Sequence, residues 1–238
     1  MKNILIPTAL NADTAAAVSH AVKQSSGSSL TISLLYLNET PQTPSAAGWL
    51  RQARNGYSSQ QQQTLEQCRK LVSGSNCTLK FQTQYSLSAP LLKNLMEALE
   101  IGLVIMTDSF RNSDKKINRY ATKLLGNCKC PILHLGETAS NGFNKALYIE
   151  KTRSRLQVEE LQQSLGAQFS FRIVSQAKVE DGAEDLLVPM LSQAIHQNDI
   201  DLLVETRKPE RIRLGKSDKV GLPESFGLPV LSVYEEIS

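Results

Sequence analysis

The residues that could carry chemistry in this chain form short, scattered motifs. Gly215, Lys216 and Ser217 match the end of a phosphate-binding loop, in which backbone N–H groups and a lysine hold phosphate oxygens. The full pattern requires a glycine five positions before Gly215, and Glu210 stands there. The motif therefore does not predict a phosphate-binding loop.

Two clusters of basic residues indicate a second kind of chemistry, the binding of an anion through side chains. Such clusters can hold a phosphorylated ligand by charge-assisted hydrogen bonds. The alternative is a solvated loop face, which we favour because acidic residues are mixed into both clusters. The clusters consist of Arg111, Lys115, Lys116, Arg119 and Lys123, and of Arg207, Lys208, Arg211, Arg213, Lys216 and Lys219.

The chain shows no recognisable catalytic nucleophile or metal site. Its three histidines, His20, His134 and His196, share no motif, and no Gly-x-Ser-x-Gly sequence is present to expose a catalytic serine. Cys128 and Cys130 are separated by one residue rather than two, and no second pair completes a zinc site. We therefore predict free thiols, no metal, no cofactor and no enzymatic activity.

The composition is that of a globular protein. Of 238 residues, 41% are hydrophobic and 21% are charged, so an ordinary core can form. No apolar run approaches the ~20 residues of a membrane span, and Pro7 interrupts the first apolar run too early for an export signal. Because four cysteines without an export signal indicate a reducing compartment, we expect a cytoplasmic protein that does not bind membranes.

The net charge of +3 is unevenly distributed along the chain. Residues 1–139 hold 14 basic and 8 acidic side chains, whereas residues 140–238 hold 12 and 15. Neither part is strongly basic, and aromatic residues are not interleaved with the basic ones, so we do not expect nucleic acid as a partner. Opposite signs suit two parts that pack on each other.

An internal repeat is the most informative pattern in the sequence. Pro90 aligns with Pro189, and Thr107 aligns with Thr206, at a constant offset of 99 residues. We expect both prolines in a first helical turn, where a missing N–H has no cost. Three pairs of segments match in the same order, namely 2–7 with 145–150, 89–107 with 188–206, and 130–135 with 228–233.

The apolar periodicity predicts strands and helices in alternation. The predicted strands are 3–8, 30–37, 78–85, 102–107 and 131–135, followed by 145–150, 169–174, 201–206 and 229–234. The predicted helices are 12–25, 58–73, 90–100 and 116–126, followed by 154–165 and 188–197. Alternation of this kind is typical of α/β folds with parallel sheets.

Two unequal copies of one unit therefore make up the chain. The second copy is shorter by about one strand–helix unit, and turn-forming residues at 137–144 separate the copies. We predict two sheets, in domains 1–139 and 140–238. In parallel sheets, ligands bind beyond the carboxyl ends of the strands, so chemistry is expected after Pro7, Leu37 and Thr107.

Three segments resemble the universal stress protein family in its tandem, two-domain form. They are the opening strand at 2–8, the fourth strand at 102–107 and the closing strand at 130–135. The resemblance implies open parallel sheets of the adenine-nucleotide α-hydrolase-like type, with strand order 3-2-1-4-5 in the first copy. The missing unit should place strand 169–174 beside strand 145–150.

The resemblance also implies a nucleotide pocket, and this chain departs from it at each diagnostic position. Ala9 stands where the family has an aspartate that holds the adenosine. Thr107 and Phe110 replace two glycines of the phosphate loop, and Asn118 and Arg119 replace its Gly-Ser pair. In the vestigial pocket we place Thr8, Ala9, Leu37, Thr107, Asp108, Asn118 and Arg119.

The second copy also lacks the nucleotide motifs, since Lys151 stands at the aspartate position and Pro209 removes a backbone donor from the loop. We therefore predict a non-catalytic stress-response module that acts by binding or assembly. The alternative is a binder of a nucleotide or other anion through Thr8, Asp108 and the basic loops. An enzyme of the wider adenine-binding superfamily would need activating residues that are missing here.

The closing strands of the two copies are predicted to pair antiparallel and form an intramolecular pseudo-dimer. Each follows a proline, which suits a first strand position, and each would otherwise be an exposed edge. Homo-oligomerisation or an unknown protein partner stays open. The pairing residues are Pro131, Ile132 and Leu133 in one strand and Pro229, Val230 and Leu231 in the other.

Overall fold

The strands form one mostly parallel sheet in the computed structural model. The structure describes residues 2–25, 27–38, 45, 47, 56–136, 142–151, 154, 156–166, 168–179, 184–209 and 226–235. Within these residues the sheet has nine strands in the order β3-β2-β1-β4-β5-β9-β8-β6-β7. The strands are β1 Asn3–Thr8, β2 Leu30–Leu37, β3 Cys77–Gln84, β4 Ile101–Met106, β5 Ile132–His134, β6 Lys145–Lys151, β7 Arg172–Val179, β8 Leu202–Arg207 and β9 Val230–Tyr234.

Helices cover both faces of the sheet, and sequence signals set their first turns. Ser58 and Gln61 form a capping box at the start of α2, while Ser88 caps α3 and Pro90 lies in its first turn. None of the helices in the described residues is long and apolar enough to cross a membrane. The helices are α1 Asp13–Gln24, α2 Ser59–Val72, α3 Ala89–Ala98, α4 Asp108–Arg111, α5 Lys116–Gly126, α6 Val158–Gly166 and α7 Glu184–Asn198.

The predicted α/β class and strand orders are confirmed. The first five strands have the order β3-β2-β1-β4-β5, and β7 pairs in parallel with β6 as expected for a copy that lacks one unit. All four pairings among these five strands are parallel. The carboxyl ends of β1, β2 and β4 therefore lie at one edge.

The prediction of two separate sheets is wrong, because strand pairing joins the two copies into one sheet. β5 and β9 are antiparallel neighbours, with Leu133 opposite Leu231 at the centre of the pair. Ile132 is opposite Ser232, and His134 is opposite Val230. Each copy thereby removes the other's unpaired edge. Since equivalent residues of the two closing strands differ by 98, this register is symmetric about the central leucines.

Several boundaries in the second copy also differ from the prediction: α6 begins at Val158 rather than at 154, and β7 ends at Val179 rather than at 174. β7 begins at Arg172 rather than at 169, and Phe169 and Phe171 lie before it, buried in the core with their ring centroids 5.7 Å apart. α7 begins at Glu184, so Pro189 lies inside the helix and not in its first turn. There the proline removes one backbone hydrogen bond of the helix.

The larger core cluster contains residues from both copies. On one face of the sheet, Ile4 and Leu133 of the first copy share a cluster with Phe143, Tyr148 and Leu231 of the second. We call residues 1–139 the first half, residues 140–238 the second half, and the contacts between them the seam. The predicted boundary at 137–144 lies largely outside the described residues.

Gly136 follows β5, where its backbone lies close to the backbone of Gly227 and Leu228 across the seam. A Cβ at this position would lie 2.8 Å from the carbonyl carbon of Leu228 and closer still to the carbonyl oxygen of Gly227. Neither backbone atom can move without disturbing β9. We therefore expect Gly136→Ala to lower the free energy of unfolding by about 1–3 kcal/mol, measured by urea denaturation followed by circular dichroism.

The control for this variant is Gly126→Ala at the end of α5, where an added Cβ meets no atom within 4 Å. Alanine is a better helix former than glycine, so we expect equal or higher stability. Equal losses in the two variants would contradict the proposed clash at Gly136.

Candidate functional site

The predicted pocket residues lie near the carboxyl ends of the strands of the first half, but they do not all lie in one site. Thr8, Leu37 and Thr107 are buried at the ends of β1, β2 and β4. Asn118 is buried on α5, whereas Arg119, the next residue of that helix, is exposed. Successive helical residues point about 100° apart, so the pair cannot replace the family's Gly-Ser at one site.

The hydroxyl of Thr8 is used by the chain itself. Its Oγ1 lies 2.7 Å from Thr14 Oγ1 and accepts a hydrogen bond from the backbone N–H of Leu10 at 2.8 Å. Leu10 has a φ of 59°, in the left-handed region that few non-glycine residues adopt. These contacts hold the turn after β1 in a fixed conformation that leaves no exposed hydroxyl for a ligand.

Asp13 links the turn after β1 to the turn after β4 by hydrogen bonds. Its Oδ2 accepts from the backbone N–H of Ser109 at 2.9 Å, and its Oδ1 accepts from Ser109 Oγ at 2.7 Å. A carboxylate thus takes the backbone donor at the start of α4 that an anion would use. We did not identify Asp13 from the sequence, although an acidic residue in a first helical turn was a signal for it.

The loop after β4 is rebuilt as the short helix α4, which we did not predict. Phe110, at a glycine position of the family, is fully buried in a core cluster that is separate from the larger one. Asp108 forms an ion pair with Arg111 at 2.9 Å. The burial of Phe110 therefore holds this segment in place at the position where the family has the glycines of its phosphate loop. Asp108 forms its ion pair within the same turn.

An aromatic and amide cluster occupies the space beside Ala9. Gln61 Nε2 donates to the Tyr36 hydroxyl at 3.1 Å and to the Ala9 carbonyl at 3.4 Å. The Tyr57 ring packs edge-on against Tyr36 at 5.5 Å between centroids. Lys115 Nζ lies 5.4 Å from the centre of the Tyr36 ring. A member of the first basic cluster is thus held by an aromatic face.

Asn118 has one buried atom without a protein partner. Its Nδ2 donates to Ser113 Oγ at 3.0 Å, while its Oδ1 contacts no donor in the described residues. Buried acceptors of this kind usually bind an ordered water. Asn118 is therefore a buried polar group of the predicted pocket that still has hydrogen-bonding capacity.

At the carboxyl ends of the strands of the second half, hydroxyl groups form hydrogen bonds with one another. Thr206, the repeat equivalent of Thr107, donates to Ser154 Oγ at 3.2 Å, and the Tyr148 hydroxyl lies 3.0 Å from the same oxygen. Burial raises the pKa of Tyr148, so its hydroxyl stays protonated. Lys151, at the aspartate position of this copy, is the last residue of β6.

Arg207 has a different role from the one that the sequence predicts. Its guanidinium donates to the carbonyls of Gly126, Cys128 and Cys130 at 3.0, 2.8 and 2.5 Å, and also to the carbonyl of Ser232. Burial lowers its pKa. Both predictions for Arg207, a ligand contact and a solvated face, are therefore wrong, because it lies across the seam at the carboxyl end of α5.

The rest of the second basic cluster gives little support to an anion site. Lys208 pairs with Glu235 at 3.7 Å. The Gly215-Lys216-Ser217 motif and the basic residues Arg211, Arg213 and Lys219 lie outside the described residues.

The thiols are poorly suited to nucleophilic chemistry. All four cysteines are free, as predicted. Burial raises the pKa of Cys68 to about 11 and that of Cys130 to about 12, and it raises the pKa of Cys128 as well. A protonated thiol is a weak nucleophile. Within the described residues, no group of three or more His, Cys, Asp or Glu side chains could hold a metal ion.

Comparisons with known proteins reveal similarity in structure but not in sequence. The chain matches no protein-family model and no curated protein. A universal stress protein from Archaeoglobus fulgidus superposes with a TM-score of 0.57 at 8% identity, over 98% of this chain and 96% of that one. A protein of unknown function from Pseudomonas aeruginosa gives a TM-score of 0.48 at 14% identity, over 98% and 92%. At such identities the likeness shows the fold alone.

Proposed function

We propose that this chain, which has the universal stress protein fold, is a non-catalytic module of the stress response that acts by binding or assembly. The observation that carries the proposal is the contact between the Asp13 carboxylate and Ser109. A carboxylate of the protein stands where the fold would present a donor to phosphate. A nucleotide would have to displace this carboxylate and tolerate its like charge nearby.

Steric closure supports the same proposal. The Phe110 ring is buried just after β4, and Gln61 bridges Tyr36, at the end of β2, and Ala9, after β1. The hydroxyls of Thr8 and Thr206 are satisfied by their own neighbours. Each half therefore replaces ligand contacts by internal ones, which stabilise the loops without a cofactor.

The second half is proposed to act mainly as a structural partner of the first. It supplies β9 to cover the edge of β5, and residues of both halves share the larger core cluster. We propose an intramolecular pseudo-dimer of two domains, 1–139 and 140–238, in a cytoplasmic protein. An assembly of this kind presents fixed outer surfaces, through which a protein partner or a second copy would bind.

Calorimetric titration with Mg-ATP tests the closed site. We expect no saturable heat for the full chain, which corresponds to a dissociation constant weaker than about 1 mM. Two variants refine the test, Asp13→Ala and the matched Asp114→Ala at an exposed position. If weak binding is detected, Asp13→Ala should strengthen it and Asp114→Ala should not. A dissociation constant of micromolar order for the unmodified chain would refute the proposal.

The alternative function, binding of a small anion or nucleotide, is favoured by one observation. Asn118 Oδ1 is a buried acceptor with no protein partner in the described residues, suited to an amino or hydroxyl group of a nucleotide rather than to its phosphates. Lys115, at the N-cap of the same helix, would supply positive charge for an anion. Thr8 and Asp108, which this alternative also requires, are engaged elsewhere. Native mass spectrometry of freshly purified protein distinguishes the two functions, since a co-purified ligand would support this one.

A further inference from the structure

We propose that the seam between the two halves is acid-sensitive, and that His20 and His134 loosen it when they become charged. This inference goes beyond the proposed function and does not depend on the nucleotide site. It rests on the position of two histidines that the sequence left without a role. Both contact the opposite half, and each has a buried ring nitrogen without a hydrogen-bond partner in the described residues.

His20 lies on α1 and contacts the second half through Phe143. The two ring centroids are 4.7 Å apart, the imidazole is 5% exposed, and its Nε2 has no partner among the described atoms. The charged group that acts on it is Lys23 of the same helix, while the segment before β6 contributes the Phe143 ring. A protonated His20 would be a buried cation that contacts the apolar Phe143 ring and lies near the Lys23 ammonium group. This charge would destabilise the contact between the two halves.

His134 lies on β5, opposite Val230 of β9. Its Nδ1 is buried and has no partner in the described residues. Two guanidinium groups act on it, Arg111 from α4 and Arg207 from β8. A charged His134 would therefore be repelled from both halves at the strand pair that joins them.

The direction of the pH effect follows from linkage. Burial and the neighbouring cations lower the pKa of His20 to about 4 and that of His134 to about 3. An open seam returns both groups towards about 6.5, so the open form binds more protons. The closed seam is thus favoured above pH about 6.5 and loses stability as pH falls towards these lowered values. Between pH 6.5 and 5, each histidine shifts the equilibrium about fifteenfold towards the open form.

Hydrogen exchange of the full chain, read by mass spectrometry at pH about 7.5 and about 5, tests the proposal. After correction for intrinsic exchange rates, α1, β5 and β9 should lose protection at the lower pH, while β2 and β3 should keep it. The variant His20→Phe with His134→Leu removes both titrating groups and should keep protection at the seam. His196→Gln, at an exposed position on α7, is the matched control and should behave as the unmodified chain.

A second measurement on the unmodified chain covers the case in which the double variant does not fold. Proton NMR of the imidazole rings should show that two of the three histidines do not titrate above pH about 5 while the chain stays folded. Titration of all three near 6.5 would overturn the proposal. So would a loss of protection that is uniform over both halves, or one that persists unchanged in the double variant.

Discussion

Replacing Arg207 with methionine should lower the free energy of unfolding by about 3–5 kcal/mol, a large part of the stability of an ordinary domain. Methionine retains much of the apolar volume but donates no hydrogen bond. Four backbone carbonyls, from both halves, would lose the donor that now satisfies them. A buried carbonyl without a donor lowers the free energy of unfolding by about 1–3 kcal/mol, and a hydrogen bond to water offsets part of this loss.

Urea denaturation measures this loss, and Arg69→Met is the matched control. Arg69 is on α2, with 61% of its side chain exposed, in an ion pair of 3.5 Å with Glu66. An exposed pair contributes about 1 kcal/mol at most, so the control should unfold almost as the unmodified chain does. Arg207→Lys should be nearly as damaging as Arg207→Met, because one ammonium group cannot reach four carbonyls. Similar midpoints for Arg207→Met and Arg69→Met would show that Arg207 does not hold the seam.

Replacing Leu231 with alanine should lower the free energy of unfolding by about 2–5 kcal/mol. Leu231 is fully buried at the centre of β9, opposite Leu133 on one side and Val204 on the other. The substitution leaves a cavity where the two halves meet, and rigid sheet backbone on both sides limits its collapse. The loss should appear as a lower denaturation midpoint.

Leu91→Ala is the control, since this leucine of α3 is 40% exposed and should lose less than about 1 kcal/mol. Exchange data would locate the effect, because β5 and β9 should lose protection together in Leu231→Ala. If only β9 loses protection, the two strands do not stabilise each other and the interpretation of the seam is wrong.

The architecture was accessible from the sequence because it depends on local patterns and on the repeat. Alternating strands and helices predicted the parallel class, and the resemblance to the universal stress protein family implied the strand order of the first half. The repeat also showed which segments could close the sheet, as the symmetric register around Leu133 and Leu231 illustrates. β7 was misplaced because Phe169 and Phe171 are apolar without being part of the strand.

The candidate site was less predictable, because its contacts join residues far apart in the chain. Asp13 and Ser109 are 96 residues apart, and Arg207 is 81 residues from Gly126. Charge alone marks Arg207 as a solvated or ligand-binding residue, since no local pattern shows that a helix carboxyl end will lie beside it. Likewise, the family pattern pointed to position 9, where Ala9 replaces an aspartate, and it did not point to Asp13.

The antiparallel pairing of β5 with β9 also has a consequence for synthesis on the ribosome. The two central leucines are 98 residues apart, so at about 5–20 residues per second β5 waits about 5–20 s for its partner strand. During that interval its edge is open to other strands. Nascent chains on one messenger RNA present identical edges to each other, and we expect slower translation of residues 140–238 to favour cross-pairing between chains.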